Sequence, residues 1–446
     1  MSLLQRKEAR LLLEDATLSQ AGIRGCRRRL MRFLQRYLPL FYRREQREHA
    51  ELVVWGKLGN LQRKTCEPIA RQAGVQRKPI QLFVGAGKWD HEAVMAGVRQ
   101  QVAEVFADPE AVLVLDPSAF AKKGTASCGV KRQWCGRLGK VENCQVGVFL
   151  ACVSRGQVAP LDRQLYLPRS WAEDPARRKK SHVPKQIRFA EKWQIGLRLL
   201  KRARGVPHGW VTGDDEFGRA GKFRATLRRR RERYVLDVPC NTLVRVGEPG
   251  ATAARGKRKG KGQRGRPRQR PFVRVDQWAA AQPVARWQRL QLRAGELGPL
   301  VVEVLGAEVE TRDGRRVGVR ERLLVIRTVE ATPKTHYCLS NAQPEVPWED
   351  CVSARMERRR VEEMFALGNG EVGLNHYEVR SWVGWHHHMT LSLLALWFLV
   401  LERQQVGEKN PGDHRAAGAG DLQPPAAASR ADAGTDRGGS QQRAAA

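Results

Sequence analysis

Three carboxylates occupy positions suited to metal-assisted chemistry on phosphate. Asp116 closes the apolar run AVLVLD, Asp214 closes WVTGD, and Glu362 lies in the helical stretch RMERRRVEEMFALGNGEVGL. Strands of one sheet that end in acids can bring them to a common edge, and a helix crossing that edge can add a third. Convergent carboxylate oxygens suit hard cations, Mg2+ or Mn2+, which keep water and substrate phosphate in their coordination shells. Two such ions about 4 Å apart activate a nucleophile and stabilise the leaving oxygen during in-line attack at phosphorus. Each acid also has a plainer reading: Asp116 opening a turn in DPSAF, Asp214 capping a helix, Glu362 paired with a nearby arginine. Taken one at a time, the plainer readings win.

The composition supports a globular chain with a polyanionic partner. The 446 residues include 80 Lys and Arg against 46 Asp and Glu, a formal charge of +34, while 41% are hydrophobic and 12 are Trp. Such apolar content excludes a wholly disordered chain, and such charge points to DNA. Nine cysteines without a C-x-x-C pair fit reduced thiols better than a disulfide framework or a zinc cluster. The N-terminal MSLLQRKEARLLLED reads as an amphipathic helix and not an export signal. Met389 to Leu401 is too short for the roughly 20 residues of a membrane span and reads as a core helix. A cytoplasmic, nucleoid-associated protein is expected, with no membrane and no small-molecule substrate.

Helical periodicity runs to about Asp108, predicting an all-helical domain over residues 1–108. Within it EPIARQAGVQRKPIQLFVG reads as two short helices about Gly74, a helix-turn-helix candidate offering Gln76, Arg77, Lys78 and Gln81 to a DNA groove. An ordinary helical hairpin with a basic face is the alternative. From AVLVLD onward strands alternate with helices, including one over Lys185 to Arg202, which indicates an α/β unit over 109–240. A Gly, Lys and Arg-rich loop, 247–271, opens a segment over 241–334 whose later part alternates as a small antiparallel sheet. Arg264 and Arg266 in that loop have the pattern of an A·T minor-groove hook, with a plain basic linker as the simpler reading. Residues 335–404 return to the α/β unit with a helix from about Val352 to Leu367, and 405–446 read as a disordered tail. Lys122, Lys123, Lys131 and Arg132 flank the first strand and are candidates for phosphate contacts. His386 to His388 lack companions at metal-ligand spacing, and Trp382 and Trp385 read as core.

The stretch VLDPSAFAKKGTASCGVKRQWCGRLGKVENCQVGVFLA resembles the signature region of IS701-type transposases, in the wider IS4-like DDE transposase superfamily. The resemblance continues through DRQLYLPRSW, VTGDDEFGR, HYCLSN and GEVGLNHYEVRSWVGWHHHMTLSLLALWFLV, and RREQREHAELVVWGKLGNLQRKTCEPIA is similar to the family's helical domain. It covers about residues 34–402. It implies an α/β, RNase H-like catalytic core with a β-rich insertion, preceded by the helical domain. It makes Asp116 the first metal ligand, Asp214 the second and Glu362 the third, with Glu363 the nearest rival. The family's Arg four residues before the Glu is matched by Arg358. Its Lys seven residues after the Glu, a DNA-phosphate contact, is Asn369 here, which can hydrogen-bond but brings no charge. Arg355 stands at the family's Tyr position, and Pro117 follows the first acid where many relatives carry another. The resemblance implies a Mg2+-dependent (or Mn2+-dependent) transposase that cuts element ends and joins them to target DNA, acting as a homo-oligomer on DNA. The alternative is an inactive or repurposed DNA-binding descendant, which Asn369 and a tail of frameshift-like composition favour.

Overall fold

The structure, a computed structural model, describes residues 20–247, 271–295, 298–313, 316–330 and 332–409. The expected N-terminal amphipathic helix, Arg264 and Arg266, and the tail beyond 409 lie outside them.

Residues 20–106 form helices without a strand: α1 (Gln20–Tyr37), α2 (Arg44–Leu58), α3 (Cys66–Gln72), α4 (Arg77–Ala86) and α5 (His91–Val105). In α1, Leu30, Phe33, Leu34 and Tyr37 recur every three or four residues and are all buried, leaving the arginines on the other faces. Asp90 caps α5, its Oδ1 accepting from the amides of Glu92 (2.8 Å) and Ala93 (3.2 Å).

The chain then builds one mixed sheet. Its strands are β1 (Val112–Ala121), β2 (Lys131–Cys135), β3 (Lys140–Ser154), β4 (Gln157–Leu165), β5 (Trp210–Gly213), β6 (Tyr234–Val238), β7 (Leu243–Val246), β8 (Val273–Arg274), β9 (Gln288–Gly295), β10 (Gly298–Asp313), β11 (Arg316–Thr328) and β12 (Thr335–Ser340). Their order is β2-β3-β1-β5-β6-β12-β11-β10-β7-β8, with β4 beside β3 and β9 beside β10. β1, β5 and β6 are parallel neighbours, and the remaining pairs are antiparallel. The small antiparallel sheet expected in the insertion is present, and it joins the larger one. β12 pairs with β6 on one side and β11 on the other, so the inserted strands continue the central sheet. Buried Glu321 of β11 ties the two parts together, accepting from Arg224 Nε (2.9 Å) and Thr311 Oγ1 (2.7 Å), and from Tyr234 Oη.

The helices of the sheet region are α6 (Lys192–Arg202), α7 (Gly221–Arg229), α8 (Val275–Ala280), α9 (Trp348–Met356), α10 (Arg360–Gly370) and α11 (Trp382–Lys409), with shorter turns between. The helix expected from Lys185 begins instead at Lys192, where Glu191 and Gln194 form a reciprocal capping box. Apolar on all sides through Trp385, Leu391, Leu394 and Trp397, α11 is buried and packs on α2, α4, α5 and β4. One apolar core runs from Leu30 through the strands to Val400, so the N-terminal helices and the sheet share it. At its centre Asp162, fully buried, accepts from Arg99 (2.9 Å) and Arg202 (2.7 Å), and its neighbour Arg163 donates to Thr390 (2.6 Å) and Glu92 (2.9 Å). Among the described residues no helix is long and apolar enough to cross a membrane.

Candidate active site

The three parallel strands fix the geometry of the site. Leu115 of β1 pairs with Gly213 of β5, which pairs with Leu236 of β6. The next residue of each chain segment is an aspartate, so Asp116, Asp214 and Asp237 stand abreast, with strands about 4.8 Å apart. β5 ends after four residues at Gly213, and beyond it β1 and β6 run on without a strand between them.

Asp116 is therefore not at the end of its strand, as expected, nor does it open a turn. β1 continues through Pro117 to Ala121, paired antiparallel to β3. Proline is tolerated because it can serve as an edge residue: it has no N–H to offer, and parallel pairing with β5 has ceased two residues earlier. Asp214 does cap a turn, Asp215–Gly218, its Oδ1 accepting from the Glu216 amide at 3.1 Å. That turn lies so close to β6 that a Cβ on Gly218 would collide with the Asp237 carbonyl oxygen, so glycine is required there.

An arginine spans the gap left by β5. Arg358, in the turn Glu357–Arg359 between α9 and α10, gives one terminal nitrogen to Asp116 Oδ1 (3.2 Å) and the other to Asp237 Oδ2 (3.3 Å). Asp237 is also gripped by Arg355, at 3.0 Å to Oδ1 and 2.9 Å to Oδ2, and its Oδ1 accepts from Cys338 Sγ at 3.1 Å. Glu362, one turn beyond Arg358, is exposed on α10 and makes no ion pair among the described residues; Arg360 pairs with Glu357 (2.9 Å) and lies 3.5 Å from Glu363.

The electrostatics follow from this crowding. Burial pushes the Asp116 carboxyl up, Arg358 pulls it back, and Glu362 and Asp237 add to the rise. Burial also raises Asp214, and the neighbouring Asp116 raises it further. Burial would raise Asp237 too, but the Arg355 guanidinium holds it below the usual carboxylate range. Two acids thus sit where negative charge is costly and a cation is wanted. Among the described residues no three Asp, Glu, His or Cys side chains are gathered closely enough to hold a metal ion. In this conformation Arg358 is the cation on Asp116. Asp116, Asp214 and Glu362 remain hard oxygen donors of the type Mg2+ and Mn2+ take.

The other expected positions divide. In the helix pair α3–α4, Gly74 takes φ +67° at the turn, a backbone that favours glycine. Ile80, Phe83 and Val84 face inward while Gln76, Arg77, Lys78 and Gln81 are exposed, Arg77 lying 3.1 Å from Glu67. Lys123, Lys131 and Arg132 are exposed at and beside β2. Lys122 is drawn inward, its ammonium 3.4 Å from the centre of the Tyr377 ring, which removes it from the solvent-facing set. Asn369 is half-buried, and its Oδ1 has no hydrogen-bond partner. His386, His387 and His388 are buried and kept neutral by burial, each bonded to a backbone carbonyl. Trp382 and Trp385 are buried in the core. Sequence reasoning missed Asp237 and the pairing role of Arg355; the available signal was an acid inside the apolar strand YVLDV.

A mixed α/β sheet with carboxylates abreast where its middle parallel strand stops is compatible with an RNase H-like DDE domain. The DDE superfamily endonuclease family model matches residues 36–299, more than half of the chain, and the chain belongs to that superfamily. Asp116, Asp214 and Asp237 fall inside the matched span, and Glu362 lies beyond it. The chain is also similar to a probable transposase for insertion sequence element IS701 from Microchaete diplosiphon, 26% identical over 218 residues. Those residues are 48% of this chain and 54% of that protein, so the chain spans about half the length of its relative. Both comparisons support the resemblance to IS701-type DDE transposases carried by the motifs.

Proposed function

We propose that this chain is the transposase of an insertion sequence, cutting the element's ends and joining them to target DNA by phosphoryl transfer at Asp116, Asp214 and Glu362. The observation that carries the reading is the placing of Asp116 beside Asp214 where β5 stops, in a chain of the DDE superfamily. The donor chemistry supports the reading: Asp116 and Asp214 follow the paired residues Leu115 and Gly213 and are hard oxygen donors of the kind a divalent cation takes, and Glu362 would have to come in from α10 to complete the set. Mg2+ or Mn2+ held there supplies Lewis-acid stabilisation and a more acidic attacking hydroxyl.

The chain's own residues do the rest. Asp116 is fixed by strand pairing on β1, and Asp214 by its capping bond and the close approach at Gly218. Glu362 offers its carboxylate from the exposed face of α10. Lys123, Lys131 and Arg132 meet DNA phosphates, and α4 presents Gln76, Arg77, Lys78 and Gln81 to a groove of the element end. Handling two ends together calls for more than one copy of the chain.

The test is cleavage of a labelled fragment carrying the element's end, with Mg2+ or Mn2+ and without, by the parent chain and by Asp214→Ala, with DNA binding measured for both. Metal-dependent cleavage by the parent alone is expected. Binding by both without cleavage by either overturns the enzymatic reading in favour of a repurposed DNA-binding protein, the reading that Asn369 favours.

A further inference from the structure

We propose that Asp237 is a positioning residue of this site, the seat that takes Arg358 when Asp116 gives up that guanidinium to bind a divalent cation. The inference rests on Asp116 being a metal ligand.

Arg358 is held loosely and in two directions. Its bonds to Asp116 and Asp237, 3.2 and 3.3 Å, are longer than the 2.9 and 3.0 Å bonds of Arg355 to Asp237, and its Nε has no partner although it is buried. It springs from the short turn Glu357–Arg359, and its side chain is 23% exposed. Asp237 is the opposite case. Two nitrogens of Arg355 and the Cys338 thiol fix its carboxylate, so it is an anion that stays in place. Asp116 has no other side-chain hydrogen bond than that from Arg358 among the described residues.

A divalent cation on Asp116 would repel the like-charged Arg358 guanidinium, whose Nη2 lies 3.2 Å from Asp116 Oδ1. Arg358 must then leave Asp116, and a guanidinium stranded in a partly buried gap without an anion is costly. Asp237 lies at the far side of that gap and already accepts from Arg358 Nη1, so the exchange needs only that the second nitrogen follow the first. Arg358 thereby competes with the cation for Asp116, and Asp237 makes the competition weak enough to lose.

The experiment is Mn2+ titration of the full chain without DNA, read by the electron paramagnetic resonance of the free ion. The proteins are the parent, Asp116→Asn, Arg358→Gln, Arg358→Lys, Asp237→Asn, and the Asp237→Asn/Arg358→Gln double variant. Arg358→Gln should tighten Mn2+ about tenfold, the scale of one partly buried ion pair, and Arg358→Lys should not. Asp237→Asn should weaken Mn2+ several-fold in the parent and leave it unchanged in the Arg358→Gln background. A merely structural role, or direct ligation by Asp237, would weaken binding in both backgrounds and overturn the proposal. So would an Arg358→Gln chain that binds Mn2+ no more tightly than the parent, and this arm decides should Asp237→Asn fail to fold. If Asp116→Asn leaves Mn2+ binding intact, it is the reading of Asp116 as a ligand that fails.

Discussion

Lys57 is a cation buried without an anion, and replacing it should stabilise the protein in a pH-dependent way. It sits in the last turn of α2, 1% exposed, with its ammonium 3.5 Å from the Val372 carbonyl oxygen and no ion pair among the described residues. Burial pushes it down to about 7 from an ordinary value of 10.5, and nearby Lys64 pushes the same way. Between those two values the unfolded chain binds the proton and the folded chain does not, so stability rises with pH across that window. Below about 7 the whole penalty of the buried charge is present. The slope from this one group reaches about 1.4 kcal/mol per pH unit, and the shift as a whole amounts to several kcal/mol. Lys57→Met keeps an unbranched side chain of similar bulk and removes the charge, so it should stabilise by about 3 kcal/mol near neutral pH. The advantage should then shrink by up to about 2 kcal/mol between about pH 7 and about pH 8.5, as the parent lysine loses its proton. Urea unfolding followed by tryptophan fluorescence measures it. Burial raises the thiols of Cys26, Cys128 and Cys152, which costs stability as pH climbs, but these groups are common to both proteins and cancel in the difference. Cys66 is the exception, because Lys57 pulls its thiol down, and losing that pull shrinks the variant's advantage further in the same direction. A difference independent of pH, or a variant less stable at both ends of the range, would refute the assignment of an uncompensated charge.

Two further outcomes follow from the geometry. Asp162→Asn should cost about 3–5 kcal/mol, read as a lower urea midpoint, because it leaves Arg99 and Arg202 facing a neutral group in the interior; a loss below about 1 kcal/mol would mean the network is solvated. Alanine at Arg77, Lys78 and Gln81 together should weaken binding to the element end and flatten the plot of log affinity against log salt by about 0.9 for each phosphate no longer neutralised. An unchanged slope and affinity in a gel-shift series would remove α4 from the DNA interface.

What the sequence made legible and what it hid divide along the range of the interactions. AVLVLD reads as a buried strand because a central parallel strand is apolar on both faces, and it is one. Its continuation through Asp116, Pro117 and Ser118 has no strand-like pattern, and it is held in the sheet by β3, a partner later in the chain. The inserted strands were legible from their alternation, but nothing local says that THYCLS will lie between β6 and β11 and so join the insertion to the central sheet. The helix expected over Lys185 to Arg202 is shorter at its start, because the capping box at Glu191 and Gln194 sets the first turn at Lys192.

The site shows the same division more sharply. Asp116 and Asp214 drew notice for closing apolar runs, yet Asp116 closes nothing, since β1 runs five residues past it. What makes Asp116 an edge residue is the shortness of its neighbour: β5 stops at Gly213, and the flank of β1 beyond Leu115 is left without a parallel partner. The same stop leaves β6 beyond Leu236 without a parallel partner on that side, and Asp237, the next residue of an unbroken strand, stands level with Asp116 across the gap. Arg358 reaching both acids measures that gap directly. In a sheet of this kind the acids around a site are better sought beside the end of a short parallel strand than at the end of their own, and by that rule Asp237 stands with Asp116 and Asp214, as the partner of Arg355 and Arg358 and not as a third ligand.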